Sequence, residues 1–113
     1  MFDRVASNAE QYMTLLSARQ KLVASNIANA DTPGYRTKDI DFRSEFLSLT
    51  EGTTPAVIEP EGLAVKGDGN NVNLDREARL LAENAMRFNI ASNFARGELH
   101  QLRSAIQEGN AGS

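Results

Sequence analysis

The residues best equipped for chemistry are few. His100 is the single histidine, and the 113 residues contain no cysteine. A histidine works as a base or ligand only when a nucleophile, carboxylate or second ligand stands beside it. No Ser/Asp arrangement of that kind accompanies His100, so a surface or interface position on a helix is the simpler reading. Asp39 and Asp41 are two carboxylates at a spacing that would suit a metal pair or acid/base work. In an alternating strand they share one exposed face, which accounts for them without a site. Starting a calcium-loop register at Asp68 puts Asp68 and Asn70 at positions one and three, but Val72 and Arg79 then fall at five and twelve, where oxygen ligands are required. Gly67-Asp68-Gly69 is too short and too acidic to cradle a phosphate. The expectation is a chain with no catalytic residue, no cofactor and no metal, which acts by binding through its helices.

Those helices read clearly at the two ends. Near the C-terminus Leu74, Ala78, Leu81, Ala85, Phe88, Ser92, Ala95, Leu99, Leu102 and Ile106 recur at alternating steps of four and three, a heptad seam with one polar member. Such a seam needs a partner. Met13, Leu16, Gln20, Val23, Ile27 and Ala30 follow the same alternation near the N-terminus and offer one. The predicted fold is mainly α, with long N- and C-terminal helices forming an antiparallel coiled-coil-like hairpin around a short irregular, β-containing middle.

The first helix is predicted over about 3–30, and Asp31-Thr32-Pro33-Gly34 stops it. The Pro disfavours helix at Thr32, and the Gly is free to take positive φ. Tyr35 follows at once and is placed to fold back on the helix end. The second helix is predicted from Leu74 to about 107 or 108, before Gly109. Asn73 is its N-cap, and Asp75 and Glu77 put negative charge where the helix dipole favours it. Between the helices, Asp39-Ile40-Asp41-Phe42 reads as a short strand, and 43–49 reads as a brief helical turn. Ala56-Val57-Ile58 and Leu63-Ala64-Val65, separated by Glu59-Pro60-Glu61-Gly62, form a small hairpin or stay mobile. Residues 50–55 and 66–71 read as loops. Residues 1–34, 35–73 and 74–113 are thus three parts of one domain.

Composition limits the partners. Net charge is about +1 over residues 1–30, about −4 over 31–73 and about 0 over 74–113. No basic stripe is present, which argues against nucleic acid. No run approaches the roughly 18 apolar residues of a membrane span, so the chain is not expected to be membrane-embedded. The N-terminus also lacks the basic start and apolar core of a secretory signal. The small residues Ala78, Ala85, Ser92 and Ala95 bury little area each but permit close approach. Gly97 and the amides Asn84, Asn89 and Asn93 weaken the second helix, as Asn8, Ser25, Asn26 and Asn29 weaken the first. Those amides either cap backbone or bond to neighbouring subunits. A hairpin of this composition is expected to be marginal alone and ordered once packed among others.

The stretch Ala24-Ser25-Asn26-Ile27-Ala28-Asn29-Ala30-Asp31-Thr32-Pro33-Gly34-Tyr35-Arg36 and its continuation to Phe42 resembles the N-terminal motif of bacterial flagellar axial proteins, the rod, hook and hook-associated families. There an Asn-rich helix end runs into a Thr-x-Gly-Tyr turn. Residues 69–89 resemble the C-terminal helix of a proximal-rod subunit in that group. The resemblance covers about three quarters of the chain and leaves 47–68 unmatched. It implies a structural subunit that polymerises helically and transmits torque. The implied motif and assembly residues are Asn26, Asn29, Thr32, Pro33, Gly34, Tyr35, Asn71, Val72 and Asp75, beside the seam residues Leu81, Phe88, Leu99, Leu102 and Ile106. It also implies a place in the periplasmic rod of the basal body, reached through the flagellar type III export system. The partners it implies are other rod subunits, further copies of this chain, the adaptor joining rod to membrane ring, and the export gate. Two other readings use the same seams: a soluble helical-hairpin adaptor that binds one partner helix, and a different rod protein of the same group.

Overall fold

A computed structural model describes residues 2–47 and 54–111. Helix α1 runs Phe2–Ala28, strand β1 Asp39–Ile40, helix α2 Phe42–Leu47, strand β2 Val57–Ile58 and helix α3 Leu74–Ala111. The molecule is a rod of 73 × 24 × 17 Å, with α1 and α3 packed along its length. Their register is antiparallel, since Asn26 meets Glu77 and Gln20 meets Asn84. At about 1.5 Å per residue, α1 spans roughly 40 Å and α3 roughly 57 Å.

The helix ends follow the local chemistry. Pro33 and Gly34 lie beyond the last turn of α1, and Gly34 takes φ of 75°, a conformation that costs any residue with a Cβ. Asn73 caps α3, its Oδ1 accepting from the Arg76 N–H at 3.1 Å. Helix α3 continues past Gly109 to Ala111, beyond its expected end, because one Gly in an otherwise helical run weakens the helix without stopping it.

The middle segment departs from expectation. Strand β1 covers only Asp39-Ile40 of the strand expected over 39–42, with both residues buried and Phe42 opening α2, and its antiparallel partner is β2, with Asp39 opposite Ile58 and Ile40 opposite Val57. Residues 57–58 therefore do not pair with 63–65, which carry no strand. Pairing with β1 places β2 beside Ile40, which is buried against the hairpin (3% exposed); a local 57–65 hairpin would have no apolar surface to cover. Helix α2 covers most of the expected 43–49 turn, and residues 48 and 49 lie outside the described residues, as does 50–53 of the expected 50–55 loop. The α2 rings Phe42 and Phe46 stand edge-on to Tyr12 of α1, with ring centres 5.6 and 5.4 Å away.

The C-terminal seam is not the face that packs on α1. The α1 seam does face inward, with Leu16 and Val23 each 1% exposed and Ala30 buried, although Ile27 lies at the edge. The face that α3 turns towards α1 is different: Glu77, Leu80, Asn84 and Ala91 are its buried residues. Leu74, Leu81, Phe88, Leu99 and Ile106 remain 39–55% exposed, and Leu102 is half-buried. On a helix advancing about 100° per residue, the seam lies roughly a quarter turn away from the packed face. The two seams do not interlock within the chain.

Candidate functional site

The segment between the end of α1 and the start of α3 determines how α3 is rotated. Asn26, fully buried, is its centre. Its Nδ2 donates to the Lys38 carbonyl at 2.8 Å and to Glu77 Oε2 at 3.2 Å, and its Oδ1 accepts from the Lys38 N–H and the Tyr35 hydroxyl, both at 3.1 Å. The Tyr35 hydroxyl also lies 3.2 Å from that of Ser25. The expected fold-back of Tyr35 onto the helix end is present and serves to hold Asn26.

A second amide, Asn70, closes the α1 terminus. Its Nδ2 donates to the carbonyls of Asn29 and Thr32 at 2.9 and 2.8 Å, while its Oδ1 accepts from the Val72 N–H at 2.8 Å. Lys66 Nζ donates to the Ala30 carbonyl at 3.2 Å. Carbonyls that the helix leaves unpaired at its C-terminus are thereby satisfied. Asn29 contributes more locally, its Nδ2 donating to the Ser25 carbonyl and its Oδ1 accepting from the Thr32 hydroxyl. The Gly34 N–H donates to the Asp68 carbonyl at 2.9 Å, and Gly69 approaches within 3.4 Å of the Gly34 Cα when a Cβ is placed on it. Two glycines thus meet where the turns cross.

Asn71 joins the strand region to α3. Its Oδ1 accepts from the Thr37 N–H at 2.6 Å and its carbonyl from the Thr37 hydroxyl at 3.1 Å. These bonds place Val72 in the core (4% exposed), and the first turn of α3 then aims Glu77 at Asn26. Rotating α3 to bury Leu74 and Leu81 would break that set. Leaving buried polar groups unpaired costs about 1–3 kcal/mol each, and the set holds Asn26, Glu77, Thr37 and Asn71 together. Among the described residues, every buried side-chain nitrogen and oxygen has a partner.

Four charged groups lock the same region. Asp39 accepts from Arg19 through both oxygens, at 2.9 and 3.0 Å, and from Arg76 at 2.6 Å. Arg76 also donates to Glu77 Oε1 at 2.7 Å. Burial raises the Asp39 carboxyl, but the Arg19 hydrogen bonds and charge, the Ile40 N–H and Arg76 together outweigh it and hold the group below its ordinary value. The expectation that Asp39 and Asp41 share an exposed face is overturned. Asp39 is buried between two helices, whereas Asp41 is exposed and receives the Ser44 and Glu45 N–H groups at the start of α2.

Of the motif residues, Asn26, Asn29, Thr32, Gly34, Tyr35, Asn71 and Val72 converge here. Asp75 stays exposed on the first turn of α3, and Pro33 is exposed at the turn. Nothing in the sequence singles out Thr37, Arg19 or Arg76, while Glu77 reads there only as first-turn charge and Asn70 only as part of a failed calcium loop. Asn70 and Asn71 carried one usable signal, an amide pair just before a helix start; nothing local marks Arg19 as the partner of Asp39, twenty residues away. Among the described residues no three His, Asp or Glu side chains gather as metal ligands. His100 is exposed on α3, far along the rod from the junction. The arrangement fixes one helix against another.

Comparison with known proteins agrees with this character. Residues 4–36 match the family model described as flagella basal body rod protein. The chain is 30% identical to the flagellar basal body rod protein FlgB of Escherichia coli K12 over 128 aligned positions, covering 89% of this chain and 91% of that protein. The FlgB of Salmonella typhimurium is 31% identical at the same coverage. That of Borrelia hermsii is 28% identical over 130 positions, covering 92% and 94%. Alignments longer than this chain's 113 residues mean that these relatives carry residues which it lacks.

Proposed function

The chain belongs to the family of the flagellar basal body rod protein FlgB, and on that footing we propose how its fold serves the rod. It is a structural subunit of the flagellar basal body, associating with other rod components. Its work is mechanical, with no catalytic step. The proximal part of the rod is its proposed position, with the periplasm reached through the flagellar export channel. Its proposed neighbours are further copies, other rod subunits, the adaptor to the membrane ring, and the export gate beneath.

The observation that carries this reading is the outward turn of the α3 seam. A helix apolar on several sides is normally surrounded, and Leu74, Leu81, Phe88, Leu99 and Ile106 leave α3 apolar well beyond its contact with α1. The junction fixes the angle at which that surface is presented, and torque then passes through many modest contacts between rigid hairpins. The test is complementation of a cell lacking this chain. Full-length protein is expected to restore motility and to co-purify with basal bodies. Removal of residues 1–20 or 95–113 is expected to abolish both. Normal rods built from either truncation would overturn the reading.

A further inference from the structure

We propose that the hairpin has two unlike lateral surfaces, and that the Leu81–Phe88 stripe of one copy packs into the groove between Tyr12, Phe46 and Phe94 of a second copy. The inference rests on the rod reading and adds to it which faces of two copies meet. The two surfaces flank the α1–α3 contact on opposite sides. Leu81 and Ile90 are nine residues apart, two and a half helical turns, and so lie about 180° from each other on α3.

The second surface is a groove of about 460 Å³. Its floor is Ala9 and Ala91, both small and buried, and its walls are Tyr12, Phe46, Ile90 and Phe94. Ile90 and Phe94 are 63% and 53% exposed. Small floor residues admit a close approach, and aromatic walls give an inserted ring edge and face contacts. The opposite surface has a smaller recess of about 340 Å³ edged by polar Ser17, Gln20, Asn84 and Asn89, with Phe88 on its rim (42% exposed). One side is therefore an apolar recess, and the other carries an apolar ridge.

Charge argues for a second copy as the occupant. On α3, Arg96 and Arg103 follow Ser92 and Leu99 by four, so its ridge side carries two cations and no carboxylate, while Glu10 and Lys21 of α1, seven before and four after Ser17, border the same side and offset each other. On α3, Glu83, Arg87, Phe94 and Glu98 share one face at steps of four, seven and four, so its groove side carries two carboxylates beside Arg87, which lines the groove, and Arg76, which is bound to Asp39 and Glu77. Ridge against groove joins opposite charges, whereas ridge against ridge would face four arginines across the contact. A contact between unlike surfaces does not close on itself and continues from copy to copy.

Photocrosslinking in assembled basal bodies tests this. Phe88 is replaced by benzoylphenylalanine, cells are irradiated, and basal bodies are purified and digested for mass spectrometry. The expected product is a covalent dimer of this chain, with the adduct on Tyr12, Phe46, Ile90 or Phe94, and its loss when Phe94→Ala and Ile90→Ala are introduced in the acceptor copy. A like-to-like adduct near residue 88, or adducts only on another protein, would overturn the inference. So would the absence of any adduct from basal bodies that contain the chain. If the chain is absent from basal bodies even when unmodified, the rod reading itself fails.

Discussion

The junction makes a sharp prediction at Asn26. Replacing it with Asp keeps the shape but turns a donor into an oxygen 3.2 Å from Glu77 Oε2, inside a region where both side chains are fully buried. Two charges at that distance repel by about 5 kcal/mol at an effective dielectric of 20. Arg76 cannot relieve this, because it already binds Glu77 Oε1 and Asp39. The folded protein instead takes up a proton, which costs about 4 kcal/mol at pH 7 for a carboxyl titrating near 4. Adding about 1 kcal/mol for the lost hydrogen bond to the Lys38 carbonyl, N26D is expected to lose about 5 kcal/mol at pH 7 but only about 2 at pH 5. The sign follows from linkage: the folded state of N26D binds more protons than the unfolded state, so its stability falls as pH rises. Asn26→Ala adds no charge and is expected to lose about 3 kcal/mol at both pH values. Urea unfolding followed by far-UV circular dichroism reads the difference, with equal trimethylamine N-oxide in every sample to bring a marginal hairpin into range. At a slope of about 1.5 kcal/mol/M, the N26D midpoint should recover about 2 M relative to wild type between pH 7 and pH 5. An N26D deficit that is the same at both pH values would refute the contact between this amide and the Glu77 carboxylate.

Three further outcomes follow from the same contacts. Asp39→Asn is expected to cost about 3 kcal/mol at pH 7; the wild-type advantage is complete above the ordinary carboxylate range and disappears as pH falls through the lowered Asp39 value, so melting curves of the two proteins should converge in acid. Gly34→Ala meets no neighbouring atom, so its cost is the left-handed backbone alone, about 1 kcal/mol, or a melting shift of about 4–8 °C. Leu16→Ala should cost about 2–5 kcal/mol in the free chain, whereas Phe88→Ala should cost under about 1 and yet lower incorporation into basal bodies; equal effects on chain stability would contradict the outward placement of the seam.

The hairpin was legible because its signals are local. Apolar residues at steps of three and four specify helix wherever the chain lies, Asp31-Thr32-Pro33-Gly34 ends α1 through fixed φ and missing donors, and Asn73 caps α3 through its own side chain. The Asn-to-Tyr motif pointed to the residues that converge at the junction, although its spacing did not say that Asn26 would be buried and held by four hydrogen bonds. What only the tertiary structure decided was which face of α3 turns inward. Periodicity marks an apolar stripe but not what covers it, and the rotation was set by polar partners 34 to 51 residues apart, Thr37 with Asn71 and Asn26 with Glu77. Asp39 met Arg19 and Arg76 for the same reason: once desolvated, a carboxylate must be paired, and the partner is chosen by proximity in space.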